Sequence, residues 1–161
     1  MHRAAILLAT LLSFSFNANA QFMDDTPDAE IPHSVIAVSV GYALERKRGK
    51  DEEAGAIGLE YVYRFAEHWA VGGVIEGLGA DVIRDVSVAA LISFHPAGHW
   101  RLFAGPGYEF TEQHDELLFR VGLGYEFSIG NHWILAPEAV VDLIESGKRT
   151  YILGLALGRE F

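Results

Sequence analysis

Eight stretches of this 161-residue chain alternate large apolar residues with small or charged ones. In the last stretch, Tyr151, Leu153, Leu155 and Leu157 occupy every second position. A period of two places alternate side chains on opposite faces of a β-strand. The pattern predicts an all-β protein with strands at 34–45, 54–65, 68–78, 82–94, 99–110, 116–127, 132–143 and 149–161.

The first 20 residues, MHRAAILLATLLSFSFNANA, have the composition of a secretory signal peptide. A short basic start, an apolar stretch and an A-x-A motif at 18–20 are typical of such a segment. Its apolar stretch is too short to cross a bilayer as a helix. We therefore predict a signal peptide at 1–20, a flexible acidic periplasmic leader at 21–33 and a single domain at 34–161.

The composition excludes several classes of protein. There are 12 Lys and Arg against 22 Asp and Glu, and an acidic surface repels nucleic acid. The chain has no cysteine, so an exported domain of this size needs a large core or a closed sheet for stability. No stretch after residue 20 has 18 consecutive uncharged apolar residues, which argues against a membrane helix.

The aromatic residues of the apolar face fall at the two ends of the predicted strands. If successive strands alternate in direction, one end of the sheet collects an aromatic girdle of Phe65, Trp69, Phe94, Trp100, Phe127, Trp133 and Phe161. The other end collects Tyr42, Tyr108, Phe110, Phe119 and Tyr151. Two aromatic rings around an aliphatic band indicate a transmembrane β-barrel.

The alternative is a soluble barrel of the lipocalin kind, with the apolar face turned inward. The opposite face of the strands is rich in glycine and alanine, whereas a water-facing strand surface favours larger polar side chains. Small residues suit the crowded interior of an eight-stranded barrel. We therefore predict an eight-stranded antiparallel up-and-down transmembrane β-barrel. Arg159 is an exception on the lipid face, close enough to the strand end to reach the headgroups.

Strand number, girdles and alternation resemble those of the small outer-membrane barrels of Gram-negative bacteria, of the OmpA/OmpX kind. The resemblance implies an integral outer-membrane protein that reaches its location by signal-peptide-dependent export. It implies contact with outer-membrane lipids and lipopolysaccharide, and with the outer-membrane assembly machinery. The terminal strand is similar to that machinery's recognition signal at Tyr151, Leu153, Leu155, Leu157 and Phe161, while Arg159 departs from it. We expect a monomer.

The charged residues of the other face are expected to line the lumen. Close to the girdle lie Arg64, Arg101, Glu126 and Glu160. Deeper in the lumen lie Glu60, Glu76, Arg120 and Glu138. Beyond them we expect Asp85, Glu109 and Asp142, without a basic partner in the lumen. Buried charges must pair, so we predict a salt-bridged plug; the alternative is a narrow cation-preferring pore.

Residues for catalysis or metal binding are sparse. His114 and Ser146 are the candidates for a lipid-modifying enzyme, a third possibility, but no nucleophile motif surrounds them. His95 and His99 have an H-x3-H spacing, yet turn histidines beside tryptophan are better interpreted as interfacial anchors. The segment 45–53 is interpreted as the longest exposed loop, with a basic half that could contact lipopolysaccharide phosphates. We predict a structural, envelope-associated protein without catalytic activity, cofactor or metal.

Overall fold

The computed structural model describes residues 33–47, 50–79, 83–96, 99–111, 115–130 and 132–161. The predicted signal peptide, the leader up to residue 32 and His114 lie outside the described residues. Within the described ranges, no helix is long and apolar enough to cross a membrane.

The described chain consists of antiparallel strands that close on themselves. The strands are β1 (His33–Lys47), β2 (Lys50–Ala66), β3 (Trp69–Gly79), β4 (Asp85–Phe94), β5 (Trp100–Phe110), β6 (Asp115–Tyr125), β7 (Phe127–Ile129), β8 (Trp133–Ile144) and β9 (Arg149–Glu160). From β1 to β6 each strand pairs with the next one, β8 pairs with β9, and β9 pairs with β1. Both β6 and the short β7 pair with β8 in one continuous register, so together they occupy one of the eight strand positions around the barrel. Each such strand position is called a stave below. The predicted eight-stranded antiparallel barrel is confirmed.

Two prolines lie at the gaps in the β4–β5 and β6–β8 ladders. Pro137 of β8 stands opposite the end of β6, where the chain separates β6 from β7. Pro106 of β5 lies in a gap of the β4–β5 ladder, between the pairs Ala89–Gly107 and Ile92–Ala104. Proline has no N–H to donate, so the ladder is interrupted at these positions. The backbone N–H of Glu126, between β6 and β7, donates to the carbonyl of His99 at 2.7 Å, which extends the β5–β6 pairing by one position.

The hairpin that joins β1 to β2 is longer than predicted. The segment interpreted as a loop, 45–53, largely continues the two strands, with Glu45 opposite Glu52 and Arg46 opposite Asp51. Charged residues on both faces had hidden the period of two there, because this part of the hairpin carries no apolar stripe. The end of the barrel with this hairpin is called the mouth below, and the other is called the girdle end.

The apolar face of the sheet points outward and the charged face points inward, which is the opposite of a water-soluble protein. Exposed side chains are large and apolar, as at Leu153, which is 66% exposed, whereas Arg120 in the interior is 2% exposed. The interior also holds an apolar cluster beside its charges, with Leu78, Leu91 and Phe103 among its members. This cluster was not predicted, since the inward positions had been read as small or charged. A closed sheet with an apolar exterior satisfies its backbone in hydrocarbon, as a membrane-spanning barrel must.

The predicted girdle residues lie on the outer surface at one end. Six of the seven are exposed and Phe94 is partly buried. Trp69 and Phe94 lie with ring centroids 4.9 Å apart, and Tyr125 joins the same belt between Trp100 and Phe127, at 4.9 and 4.7 Å. The rings that the sequence predicted separately therefore form contacting groups.

Candidate functional site in the barrel lumen

Arg120 is the central charged residue of the lumen. Its Nε donates to Asp142 Oδ1 at 2.7 Å and its Nη2 to Asp142 Oδ2 at 2.6 Å. The same Nη2 donates to Glu76 Oε1 at 2.9 Å. Asp142 is the cross-strand neighbour of Arg120 on β8, but Glu76 comes from β3. One guanidinium therefore links three staves across the interior.

Arg101 forms a second bridge nearer the girdle end. It donates through Nη1 and Nη2 to both carboxylate oxygens of Glu60, the Nη1 contact measuring 3.0 Å. A longer contact of 3.4 Å reaches Glu138. The guanidinium also lies 4.6 Å from the ring centroid of Phe103. A paired fork of this kind fixes both side chains in one geometry.

Gly122 makes room for this second bridge. A Cβ atom at this position would collide with the ring of Phe103. Glycine on β6 thus admits the phenylalanine that packs against Arg101. This is a specific reason for one of the small inward residues seen in the sequence.

The girdle end of the lumen holds a looser set of contacts between basic side chains and carboxylates. Arg64 contacts Glu126 at 3.5 Å, and His33 Nε2 contacts Glu160 at 3.0 Å. His95 was interpreted as an interfacial anchor, but it is 2% exposed and its Nε2 lies 3.5 Å from Glu126. A cavity of about 30 Å³ lies among these residues. That space has room for a water molecule but not for an organic ligand of ordinary size.

The mouth of the lumen carries cations that the sequence analysis missed. Lys148, in the turn between β8 and β9, places its Nζ 2.7 Å from Glu45 and 2.9 Å from Glu109. Arg84 contacts Glu45 at 2.5 Å and Asp85 at 3.2 Å. Burial lowers the pKa of Lys148, but the hydrogen bonds to its two carboxylate partners outweigh this and raise the pKa above its ordinary value.

The expectation that Asp85, Glu109 and Asp142 lack a basic partner is therefore wrong. Asp142 pairs with Arg120, which stands directly opposite it in the β6–β8 ladder, although counting positions from the girdle had placed the two residues at different depths. The other two pair with turn and loop residues that fold inward over the mouth. Turn residues have no alternation, so nothing in the pattern of the sequence assigns them to the lumen.

The hairpin beyond the mouth carries an exposed ion pair. Arg46 donates to Asp51 through Nε at 2.9 Å and Nη2 at 3.1 Å. This hydrogen bonding lowers the pKa of Asp51 below its ordinary value, against the small opposite effect of burial. One of the basic residues considered for phosphate contact is therefore already paired within the hairpin.

Ser146, one of the sequence candidates for catalysis, lies in the exposed turn after β8. Ser146 donates to Glu116 at 2.8 Å, and its proposed partner His114 lies outside the described residues.

On the terminal strand, Leu153, Leu155, Leu157 and Phe161 are exposed, and Tyr151 is partly buried. Arg159 is exposed on the same side, 5.9 Å from the ring of Trp133. Within the described residues, the arginines and carboxylates of the interior are paired across strands.

No protein-family model matches this chain, and no curated protein matches it significantly. Several solved structures are similar to this chain in fold. Neisserial surface protein A is 10% identical, with a TM-score of 0.60 over 82% of this chain and 100% of that one. Ail of Yersinia pestis, in complex with the heparin analogue sucrose octasulfate, is 15% identical, with a TM-score of 0.58 over 81% and 99%.

The N-terminal β-barrel domain of Pseudomonas aeruginosa OprF is also similar. It is 15% identical, with a TM-score of 0.56 over 80% of this chain and 97% of that domain. At such identities the likeness concerns the fold. The chain has the eight-stranded transmembrane barrel fold of the outer-membrane proteins NspA, Ail and OprF.

Proposed function

We propose that this protein is an integral component of the bacterial outer membrane with a structural, envelope-associated and non-catalytic role. In this proposal the exterior contacts lipid and lipopolysaccharide, and the lumen is closed. The terminal strand, with Phe161 and its row of exposed leucines, acts as the signal for the assembly machinery. The monomer is the working unit.

The exposed apolar surface supports the membrane location. Aliphatic side chains such as Val38, Leu59 and Leu155 are between 43% and 51% exposed in the middle of their strands. Such a band would be costly in water, whereas in a bilayer it contacts acyl chains. The aromatic girdle suits the boundary between membrane and water.

The two arginine bridges support a closed lumen. Arg120 and Arg101 each bond carboxylates of other staves, at different depths of the barrel. An ion that crosses the barrel has to pass both levels, and at each level it must break charge-assisted hydrogen bonds in a desolvated space. Eight strands leave an interior that side chains fill.

The test is conductance of the refolded protein in planar lipid bilayers. We expect no steady conductance from the wild type. A matched pair of variants checks the reason: Arg120→Gly removes the central bridge, and Arg46→Gly removes a cation from the exposed hairpin. Measurable current through the first variant and none through the second supports the plug. Steady wild-type current would overturn the closed lumen.

A narrow cation-preferring pore is the second candidate. Carboxylates outnumber cations in the lumen, since Glu76 and Asp142 share Arg120, and Glu60 and Glu138 share Arg101. Excess carboxylates attract cations. If the wild type conducts, a reversal potential that follows the potassium gradient favours this pore over the plug.

The non-catalytic role has its own test. Mass spectrometry of lipid A and phospholipids compares cells with and without the protein. We expect identical lipid species, together with a measurable change in outer-membrane permeability when the gene is deleted. A new or lost acyl chain on lipid would refute the non-catalytic role.

A further inference from the structure

Three carboxylates from three staves meet at the mouth of the barrel. Glu45 of β1, Asp85 of β4 and Glu109 of β5 each offer an oxygen atom, and these atoms lie within 4.8 Å of one another. The residues are only 5%, 5% and 2% exposed. Carboxylate oxygens from rigid strands, held this close, are the ligands that a hard divalent cation prefers.

The spacing suits calcium. A Ca²⁺–oxygen distance of about 2.4 Å places two oxygens on opposite sides of one ion roughly 4.8 Å apart. Three oxygens within this separation can contact one Ca²⁺ with small side-chain movements. Mg²⁺ requires shorter bonds of about 2.1 Å in strict octahedral geometry and retains several waters. The pocket therefore favours the larger ion.

The charges at the mouth do not balance in the structure. Glu45, Asp85 and Glu109 face Lys148, which is buried, and Arg84, whose side chain is 50% exposed. Three negative charges against two positive ones leave one carboxylate uncompensated. A divalent cation in place of the lysine ammonium would balance the three buried carboxylates together with Arg84, which also contacts the exposed Glu52 at 3.1 Å. Neutrality matters here, because an uncompensated buried charge is costly.

Two buried polar atoms at the mouth lack hydrogen-bond partners among the described residues. Glu109 Oε2 has no hydrogen-bond partner among the described residues, and neither has Thr150 Oγ1. Thr150 is fully buried and is the cross-strand neighbour of Glu45 in the β1–β9 ladder, so both side chains lie on the lumen face. Buried polar atoms are rarely left without partners. A calcium ion takes six to eight oxygens, so it needs ligands beyond the first three, and Glu109 Oε2 and Thr150 Oγ1 are the candidates.

Lys148 is able to leave this position. It lies at the end of the turn 145–148, where Gly147 has a left-handed φ of +82°. Its four-carbon side chain is flexible and starts at the rim of the barrel, so the ammonium can move into solvent when another cation replaces it. We infer that Glu45, Asp85 and Glu109 form a Ca²⁺ site at the mouth, and that Lys148 is the tethered cation that Ca²⁺ displaces. The inference does not depend on the proposed function.

The site is tested by calorimetric titration of CaCl₂ into the full refolded chain in zwitterionic detergent after removal of metals by EDTA. We expect saturable binding of one ion per barrel, and at least tenfold weaker binding of MgCl₂. Lys148→Met should tighten Ca²⁺ binding at least tenfold by removing the competitor. Glu109→Gln should weaken it at least tenfold. Asp51→Asn, which changes an exposed carboxylate on the hairpin, should leave it unchanged.

A measurement on the wild type covers the case in which a variant does not fold. Mn²⁺ added to isotope-labelled protein should broaden the NMR signals of Glu45, Asp85, Glu109 and Lys148 before those of other residues, and CaCl₂ should reverse the effect. Absence of saturable Ca²⁺ binding to the wild type would overturn the inference. Binding by the Lys148→Met variant alone would overturn it too, because the lysine would then be a permanent counter-ion. Equal affinity in a folded Glu109→Gln variant would also refute the site.

Discussion

Replacing Arg120 by methionine removes the guanidinium that holds Asp142 and Glu76 while keeping a side chain of comparable length. Three charge-assisted hydrogen bonds of 2.7, 2.6 and 2.9 Å disappear. The two carboxylates remain 2% and 6% exposed, with their charges uncompensated. Removing one partner of a buried ion pair costs about 3–5 kcal/mol. We expect the free energy of unfolding of the variant to fall by this amount.

Urea unfolding in phospholipid vesicles, followed by tryptophan fluorescence, measures the change. At about 2 kcal/mol per molar urea, the expected loss moves the midpoint down by roughly 1.5–2.5 M. The exposed pair of Arg46 and Asp51 supplies the control, since Arg46→Met removes a similar side chain that is bonded in water. We expect no measurable change there.

A compensating variant separates charge from packing. Buried ion pairs replaced by apolar side chains of similar volume are often as stable as the original. Arg120→Met combined with Asp142→Leu and Glu76→Met should therefore recover most of the lost stability. A loss below about 1 kcal/mol in the single variant, or no recovery in the triple one, would refute the role of Arg120 as a buried bridge.

Three other predictions concern the strands, the hairpin and the outer surface. Gly105→Ala should destabilise the barrel by about 1–3 kcal/mol in the same urea assay, because a Cβ there collides with the Ala90 carbonyl oxygen. Gly73→Ala is the control: its Cβ would lie 3.6 Å from the Ala89 carbonyl oxygen, so we expect no change in stability. NMR titration should give the Asp51 carboxyl a pKa below its ordinary value. The pairing with Arg46 is therefore present at neutral pH and is lost as the pH falls through that lowered value. Arg46→Gln should return the titration midpoint to normal, and an unchanged midpoint would contradict the pairing. Brominated lipids should quench the fluorescence of all three tryptophans, and quenching by aqueous acrylamide instead would contradict the outward face.

The barrel was predictable because alternation of large and small residues continues through every stave. Where one face is apolar and the other is not, a shift by one residue would expose the wrong set, so the register is strongly specified. The same alternation predicted that Arg101 and Arg120 face the lumen. It failed at 45–53, where Glu45, Arg46 and Asp51 are strand residues without an apolar stripe.

The mouth could not be predicted in the same way. Lys148 and Arg84 belong to connections, and their inward direction depends on how the turns fold over neighbouring staves. Asp142 pairs with Arg120 because the register of β6 against β8 places the two residues opposite each other, and counting positions from the girdle does not give that register. The breaks at Pro106 and Pro137 were visible as residues, but their effect requires the register of the strand opposite.

The contact between Glu45 and Lys148 joins positions 103 residues apart in the chain. The first residue belongs to β1 and the second immediately precedes β9, so the contact requires almost the whole domain to be present. Contacts of such long range form late and slowly in folding. Until β9 pairs with β1, both edges of the sheet expose unpaired backbone groups that invite association with other chains. In calcium-free buffer, the ammonium of Lys148 can therefore serve as a spectroscopic marker of ring completion, distinguishing finished barrels from open intermediates during membrane insertion.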